Sequence, residues 1–185
     1  HVDSSTIVGA GAASVLVIGG IAGVILLTWM RWWGPLYRDW LTSPDAKKIG
    51  IMYIVLALLM MARGIIEGFV MRAHQATALG TLITPESGLV APDHFAQLFS
   101  THGTIMIFFV AMPLITGIMN YIIPLQIGAR DVAFPFLNNF SFWMTVSGAV
   151  LVMASLFIGE FAKSGWLAYP PLSGVLESPG VGVDY

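Results

Sequence analysis

The sequence predicts an all-α chain, a polytopic bundle of transmembrane helices, and three observations carry that prediction. Of the 185 residues, 57% are hydrophobic and only 10% charged, where soluble domains carry roughly 25%. Mean hydropathy is +0.83. Stretches of about 20 mainly apolar residues, the length that crosses a bilayer, recur four times. A net charge of −2 with no basic run gives no footing for nucleic acid and leaves lipid as the surrounding medium. Cysteine is absent, so disulfides, thiolate metal sites and Cys-ligated iron–sulfur clusters are excluded.

The first span covers about 7–30; its Gly19-xxx-Gly23 spacing suits close helix packing. It is too long for the h-region of a cleavable signal peptide. The second covers about 49–71, the third about 96–123 and the fourth about 142–162. Pro113 falls inside the third and should kink it. The chain starts at His1 without Met and stops in SPGVGVDY, and reads as part of a longer polypeptide or one piece of a split subunit.

Cationic residues set the topology. Arg31, Arg38, Lys47 and Lys48 follow the first span and Arg130 follows the third, while only Arg72 and Lys163 lie on the opposite side. That bias places the odd loops in the cytoplasm and the N-terminus outside. Trp29, Trp32, Trp33, Tyr37 and Trp40 then form a cytoplasmic interface cluster, with Trp166 and Tyr169 on the external side.

Polar residues inside spans are the candidates for function. His102 lies about two turns into the third span, followed by Gly103 and an apolar run. A neutral imidazole there is either a ligand to a metal or haem iron, or a buried His donating to a backbone carbonyl of a neighbouring helix. Arg63 and Glu67 are one turn apart on the second span. Each charge costs about 2.5–3.5 kcal/mol near the bilayer centre on insertion scales, so the pair is either an ion pair locking helices together or a polar site for an amphiphilic ligand. His94 and Gln97 begin the third span on the same external side; with the pair they could hold both oxygens of a quinol and accept its protons. His1 and His74 look like loop residues. Asp131, beside Arg130, is either a solvated surface acid or the mouth of a polar path through Asn120, Asn138 and Asn139. In the structural account Ser141 caps the fourth helix while the asparagines finish a turn, and local chemistry favours that account.

The stretch THGTIMIFFVAMPLITGIMNYIIPLQIGARDVAFPFLNNFSFW, with LTSPDAKKIGIMYI before it and GWLAYPPLS after it, resembles subunit I of haem–copper terminal oxidases. The resemblance covers nearly the whole chain from Trp40. It is closest to the quinol-oxidising branch, the cytochrome bo or ba type, on the extra N-terminal span, the Arg63/Glu67/His94/Gln97 set, Arg130 and Phe136. Cytochrome c oxidases usually carry Pro and Arg at those last two positions.

The resemblance implies that His102 is an axial ligand of a low-spin haem b and that Arg72 lies against that haem. It implies that Arg63, Glu67, His94 and Gln97 bind ubiquinol, with Glu67 standing where the bo-type pattern has Asp. Asp131 becomes the mouth of a proton-uptake path that Asn120 and Asn138 line; Trp166 and Tyr169 lie near the haem propionates without a chemical step. The second axial His, the copper ligands, and the site of haem o or haem a belong to later spans. The implied partners are the remainder of subunit I and subunits II, III and IV. The implied place is a bacterial cytoplasmic membrane, and the implied activity proton-pumping ubiquinol oxidation with reduction of dioxygen to water. Alternatives are a cytochrome c oxidase subunit I, and a non-catalytic membrane haem carrier or assembly partner.

Overall fold

The computed structural model describes residues 4–80, 89–155, 160–179 and 181–183; His1 lies outside them. Every regular element among the described residues is helical. In order these are α1 (Ser4–Trp29), α2 (Trp33–Pro35) running on as π-helix over Leu36–Leu41, and α3 (Ala46–Gly80). There follow α4 (Pro92–Thr104), a π-helical stretch Ile105–Ala111, α5 (Met112–Gln126) and α6 (Pro135–Ala154). Three helical runs, Ala46–Thr77, Pro92–Gln126 and Pro135–Ala154, are long and apolar enough to cross a membrane. Val17–Trp29 and Trp33–Leu41 make a fourth candidate bent by 105°. Arg31, at φ 54°, sits at that bend; a non-glycine residue in the left-handed region interrupts the helix there.

Several boundaries differ from the sequence reading. The second span lies within a helix of 35 residues, about 52 Å at 1.5 Å per residue, so its last turns stand clear of the hydrocarbon. His74 is therefore a helical residue rather than part of a loop. The fourth helix begins at Pro135, well ahead of residue 142, because proline is pre-organised for the first turn. It ends at Ala154, and Glu160–Ala162, where the fourth span was expected to finish, are not helical. Pro113 bends nothing sharply. Its ring would clash with the carbonyl four residues back, and the chain answers by widening into the π-turns before it, Met112 N–H donating to the Ile107 carbonyl five residues earlier. The close packing expected of Gly19 and Gly23 has no partner among the described residues, since nothing lies within 4 Å of either added Cβ.

The helices that frame the site meet through glycine. A Cβ on Gly50 would stand 2.7 Å from the Gly117 carbonyl, and one on Gly117 would stand 2.7 Å from the Gly50 carbonyl. α3 and α5 thus cross main chain to main chain. Above that crossing Met60, Ile105, Val110, Ala149 and Val152 form one buried cluster; beside it Ile49, Met52, Tyr53 and Phe142 form another. The Tyr53 hydroxyl, 2.9 Å from Ser141 Oγ, ties α3 to α6.

Candidate functional site

Two adjacent stripes of α3 organise the polar interior. Gly64 and Gly68 face α4, and Arg63 and Glu67, rotated about 100° from them, face the end of α6. His102 on α4 approaches the glycine stripe. Its Nδ1 is 2.9 Å from the Gly64 carbonyl oxygen, and a Cβ on Gly68 would stand 3.3 Å from its Cε1. A carbonyl can only accept, so Nδ1 carries the proton and Nε2 keeps the lone pair. The hydrogen bond expected of a structural histidine is present. It is also the bond that orients a ligating histidine and raises its basicity. A resident haem therefore fits the residues that are there: a seated ring, a fixed tautomer and a free nitrogen. Gly103, next along, is covered by the Trp166 ring, whose Cδ1 lies 3.2 Å from the added Cβ, and Trp166 meets Phe108 edge to face at 6.1 Å. Arg72, a turn beyond Gly68, is exposed and donates to Gln75 Oε1 at 3.3 Å.

On the second stripe, Arg63 and Glu67 are each only 6% exposed. Arg63 Nε donates to Glu67 Oε1 at 2.9 Å. Its Nη1 donates to the Val152 carbonyl at 2.8 Å and to Met153 Sδ at 3.1 Å, and Nη2 to Ser155 Oγ at 3.3 Å. Four of the five donors of the guanidinium are engaged, and the cation sits at the C-terminal end of α6, where the helix dipole is negative. Arg63 is thus a clamp between α3 and α6 as well as a counter-ion. Glu67 Oε2 is buried without a partner.

His94 and Gln97 sit in the first two turns of α4, both half-buried. Among the described residues no hydrogen bond joins either to Arg63 or Glu67. Gln97 Nε2 instead donates to Glu160 Oε2 at 3.4 Å, a residue sequence reasoning passed over. Nothing local in EFAKSGW signals that contact, because it depends on how the chain returns after α6. His74, set aside in the sequence reading, accepts the Val90 N–H at 3.2 Å through Nδ1 and stacks at 5.0 Å on Phe95, between His94 and Gln97 in contact order.

At the other end of α3 the chain returns from α5 through a Schellman turn. Gly128 takes φ 68°, its N–H donates to the Leu125 carbonyl, and Ala129 N–H donates to the Pro124 carbonyl at 2.9 Å. This turn delivers Asp131 to the start of α3, where Oδ1 accepts the N–H groups of Ala46 at 3.2 Å and Val132 at 2.8 Å. The acid is half-buried and caps a helix remote in sequence, so it is not a solvated surface residue. Asn138, Asn139 and Ser141 lie within α6, so they neither cap it nor form a turn before it. Asn139 Nδ2 donates to the Ser43 carbonyl at 2.8 Å, whereas Asn120 Nδ2 and Asn138 Nδ2 are buried with no partner.

Residues 48–185 match the family described as cytochrome c and quinol oxidase polypeptide I. The chain is 57% identical over 159 residues to cytochrome bo(3) ubiquinol oxidase subunit 1 of Buchnera aphidicola, covering 86% of this chain and 24% of that protein. It is 55% identical over 170 residues to ubiquinol oxidase subunit 1 of Acetobacter aceti, covering 92% and 25%. It is 52% identical over 174 residues to a probable cytochrome c oxidase subunit 1 of Bradyrhizobium diazoefficiens, covering 94% and 25%. The chain thus spans about a quarter of the length of the curated relatives it matches. With a match over most of its length and a helical fold to suit, this chain belongs to the cytochrome c and quinol oxidase polypeptide I family.

Proposed function

We propose that the chain is part of subunit I of a proton-pumping ubiquinol oxidase of a bacterial cytoplasmic membrane, with its N-terminus outside. The observation that carries this reading is the buried Arg63–Glu67 pair, whose free carboxylate oxygen lies one helix position from the glycine seat of His102. A low-spin haem b, held by His102 and flanked by Arg72, would supply one-electron acceptance between quinol and an oxygen-reducing haem–copper centre in the remainder of the subunit. That centre would hold copper with haem o or haem a, and subunits II, III and IV would complete the enzyme.

Quinol binds at the outer ends of α3 and α4. Glu67 Oε2 accepts a hydrogen bond and then a proton from one quinol hydroxyl, and Arg63, bonded to Oε1, holds the carboxylate in place. Gln97 and His94 address the other oxygen; the eight residues from His94 to His102 amount to about 12 Å of helix, short enough for electron transfer to the seated imidazole's cofactor. A second reading, a cytochrome c oxidase, has in its favour the 52% identical relative of that name; in it Arg63 and Glu67 only clamp α3 to α6. Assaying the complete enzyme with ubiquinol and with reduced cytochrome c separates the two. Turnover with ubiquinol alone is expected, and turnover with cytochrome c alone would overturn the quinol reading.

Protons for chemistry and pumping are taken up at Asp131 and pass Asn138 and Asn120 through water. The two unpartnered buried amides support this path, since buried donors are ordinarily satisfied. Asp131→Asn keeps an oxygen to accept the Ala46 and Val132 N–H groups, so the cap and fold survive while the ionisable group is lost. Fewer protons pumped per electron are expected in vesicles; an unchanged ratio would restrict Asp131 to capping.

A further inference from the structure

We propose that Glu160 is the proton-exit residue of the quinol site, taking protons that leave the bound quinol by way of His94 and passing them to the outer aqueous phase. The inference rests on the quinol reading above. Glu67 and His94 can accept protons, but Glu67 is enclosed and His94 half-buried. A group that accepts a proton at every turnover must also lose it, and Glu160 is an exposed carboxylate bonded to Gln97, about one turn from His94.

Its placement does not hang on the long Gln97 bond alone. Lys163 Nζ pairs with Asp93 Oδ1 at 3.0 Å, and Gly165 N–H donates to Ser100 Oγ at 2.9 Å. Segment 160–165 is therefore fastened along the outer turns of α4 at three points. Gln97, which holds the Glu160 carboxylate, lies three residues and so about one turn from His94 on the same face of α4. The other charged groups nearby are committed: Asp93 to Lys163, Arg63 to Glu67, and Arg72 to Gln75 on α3. His74 has its Nδ1 on the Val90 amide.

The balance closes. Oxidation of one quinol to quinone breaks two O–H bonds and gives up two electrons, one at a time, and an iron porphyrin held by His102 would be the one-electron oxidant. One proton goes to Glu67 and one to His94. Glu160, as carboxylate, takes the proton from the imidazolium, becomes the acid and returns to carboxylate by losing it to water. His94 is then ready to accept the proton that Glu67 holds. Gln97, hydrogen-bonded to Glu160, keeps the carboxylate turned toward the site.

The test uses the complete oxidase carrying Glu160→Gln or Glu160→Asp, with the low-spin haem spectrum as the check on folding. Glu160→Gln should still accept from Gln97, leaving the KM for ubiquinol within about twofold. Its kcat should fall by about 100-fold or more, the scale of a lost acid–base group, and its solvent deuterium isotope effect should rise. Glu160→Asp should recover most of the rate. Wild-type kcat in Glu160→Gln would overturn the proposal. So would a loss of rate with raised KM, an unchanged isotope effect and no recovery in Glu160→Asp, the pattern of a loop that merely shapes the site. Failure of the quinol reading shows separately, as full ubiquinol turnover in Glu67→Leu.

Discussion

His102→Ala in the complete oxidase is expected to abolish the low-spin haem absorption band and quinol oxidation with it. Among the described residues the imidazole makes one hydrogen bond, to the Gly64 carbonyl. Its removal costs that one bond, about 0.5–1.5 kcal/mol net, while the Gly64 carbonyl keeps its place in the α3 ladder, and this does not unfold a helix held by the Gly50–Gly117 crossing and two apolar clusters. The spectrum and the fold therefore respond separately. Loss of the band with an intact complex marks a ligand. A surviving band, with only lowered thermal stability, would mark a histidine that does nothing more than bridge α3 and α4.

The second large effect is an asymmetry between partners. Arg63→Leu and Glu67→Leu should both block turnover with ubiquinol while carbon monoxide still binds the oxygen-reducing haem, but they should differ in stability. Removing Arg63 strands a buried carboxylate and strips the α6 end of three donor contacts. Breaking a buried pair in this way costs about 3–5 kcal/mol. Removing Glu67 leaves Arg63 hydrogen-bonded to Val152, Met153 and Ser155 at the negative end of α6, so the cost is smaller. Thermal denaturation and quinol assays on both variants check this. Equal stabilities would deny the clamp, and full ubiquinol turnover in either variant would deny the quinol site.

The helices were legible because their signal is local. Uninterrupted apolar length announces a span whatever it packs against, and the i, i+4 spacing of Arg63 and Glu67 is enough to predict their bond. The resemblance then named His102 as a ligand, and the structure supplies a compatible tautomer. What could not be read were contacts made by the chain's returns. Asp131 caps α3 only because Gly128 reverses the backbone. Glu160 meets Gln97 only because the segment after α6 folds over α4. Pro135 moved a helix start and changed what Asn138, Asn139 and Ser141 could be: residues of an entrance turn in the linear text, interior residues of a helix in space. Pro113 was recognised as a disturbance, but periodicity does not say whether a helix answers by bending or by widening.

Because the glycine seat of His102 and the Arg63–Glu67 pair interleave over less than two turns of α3, they share a single reading frame. A one-residue insertion between Gly50 and Arg63 would rotate both by a fifth to a third of a revolution relative to the crossing below, taking the imidazole's cradle and the donor's cradle out of alignment together. The interval from Gly50 to Gly68 is thus fixed in length by the contacts α3 makes with α4, α5 and α6 at once.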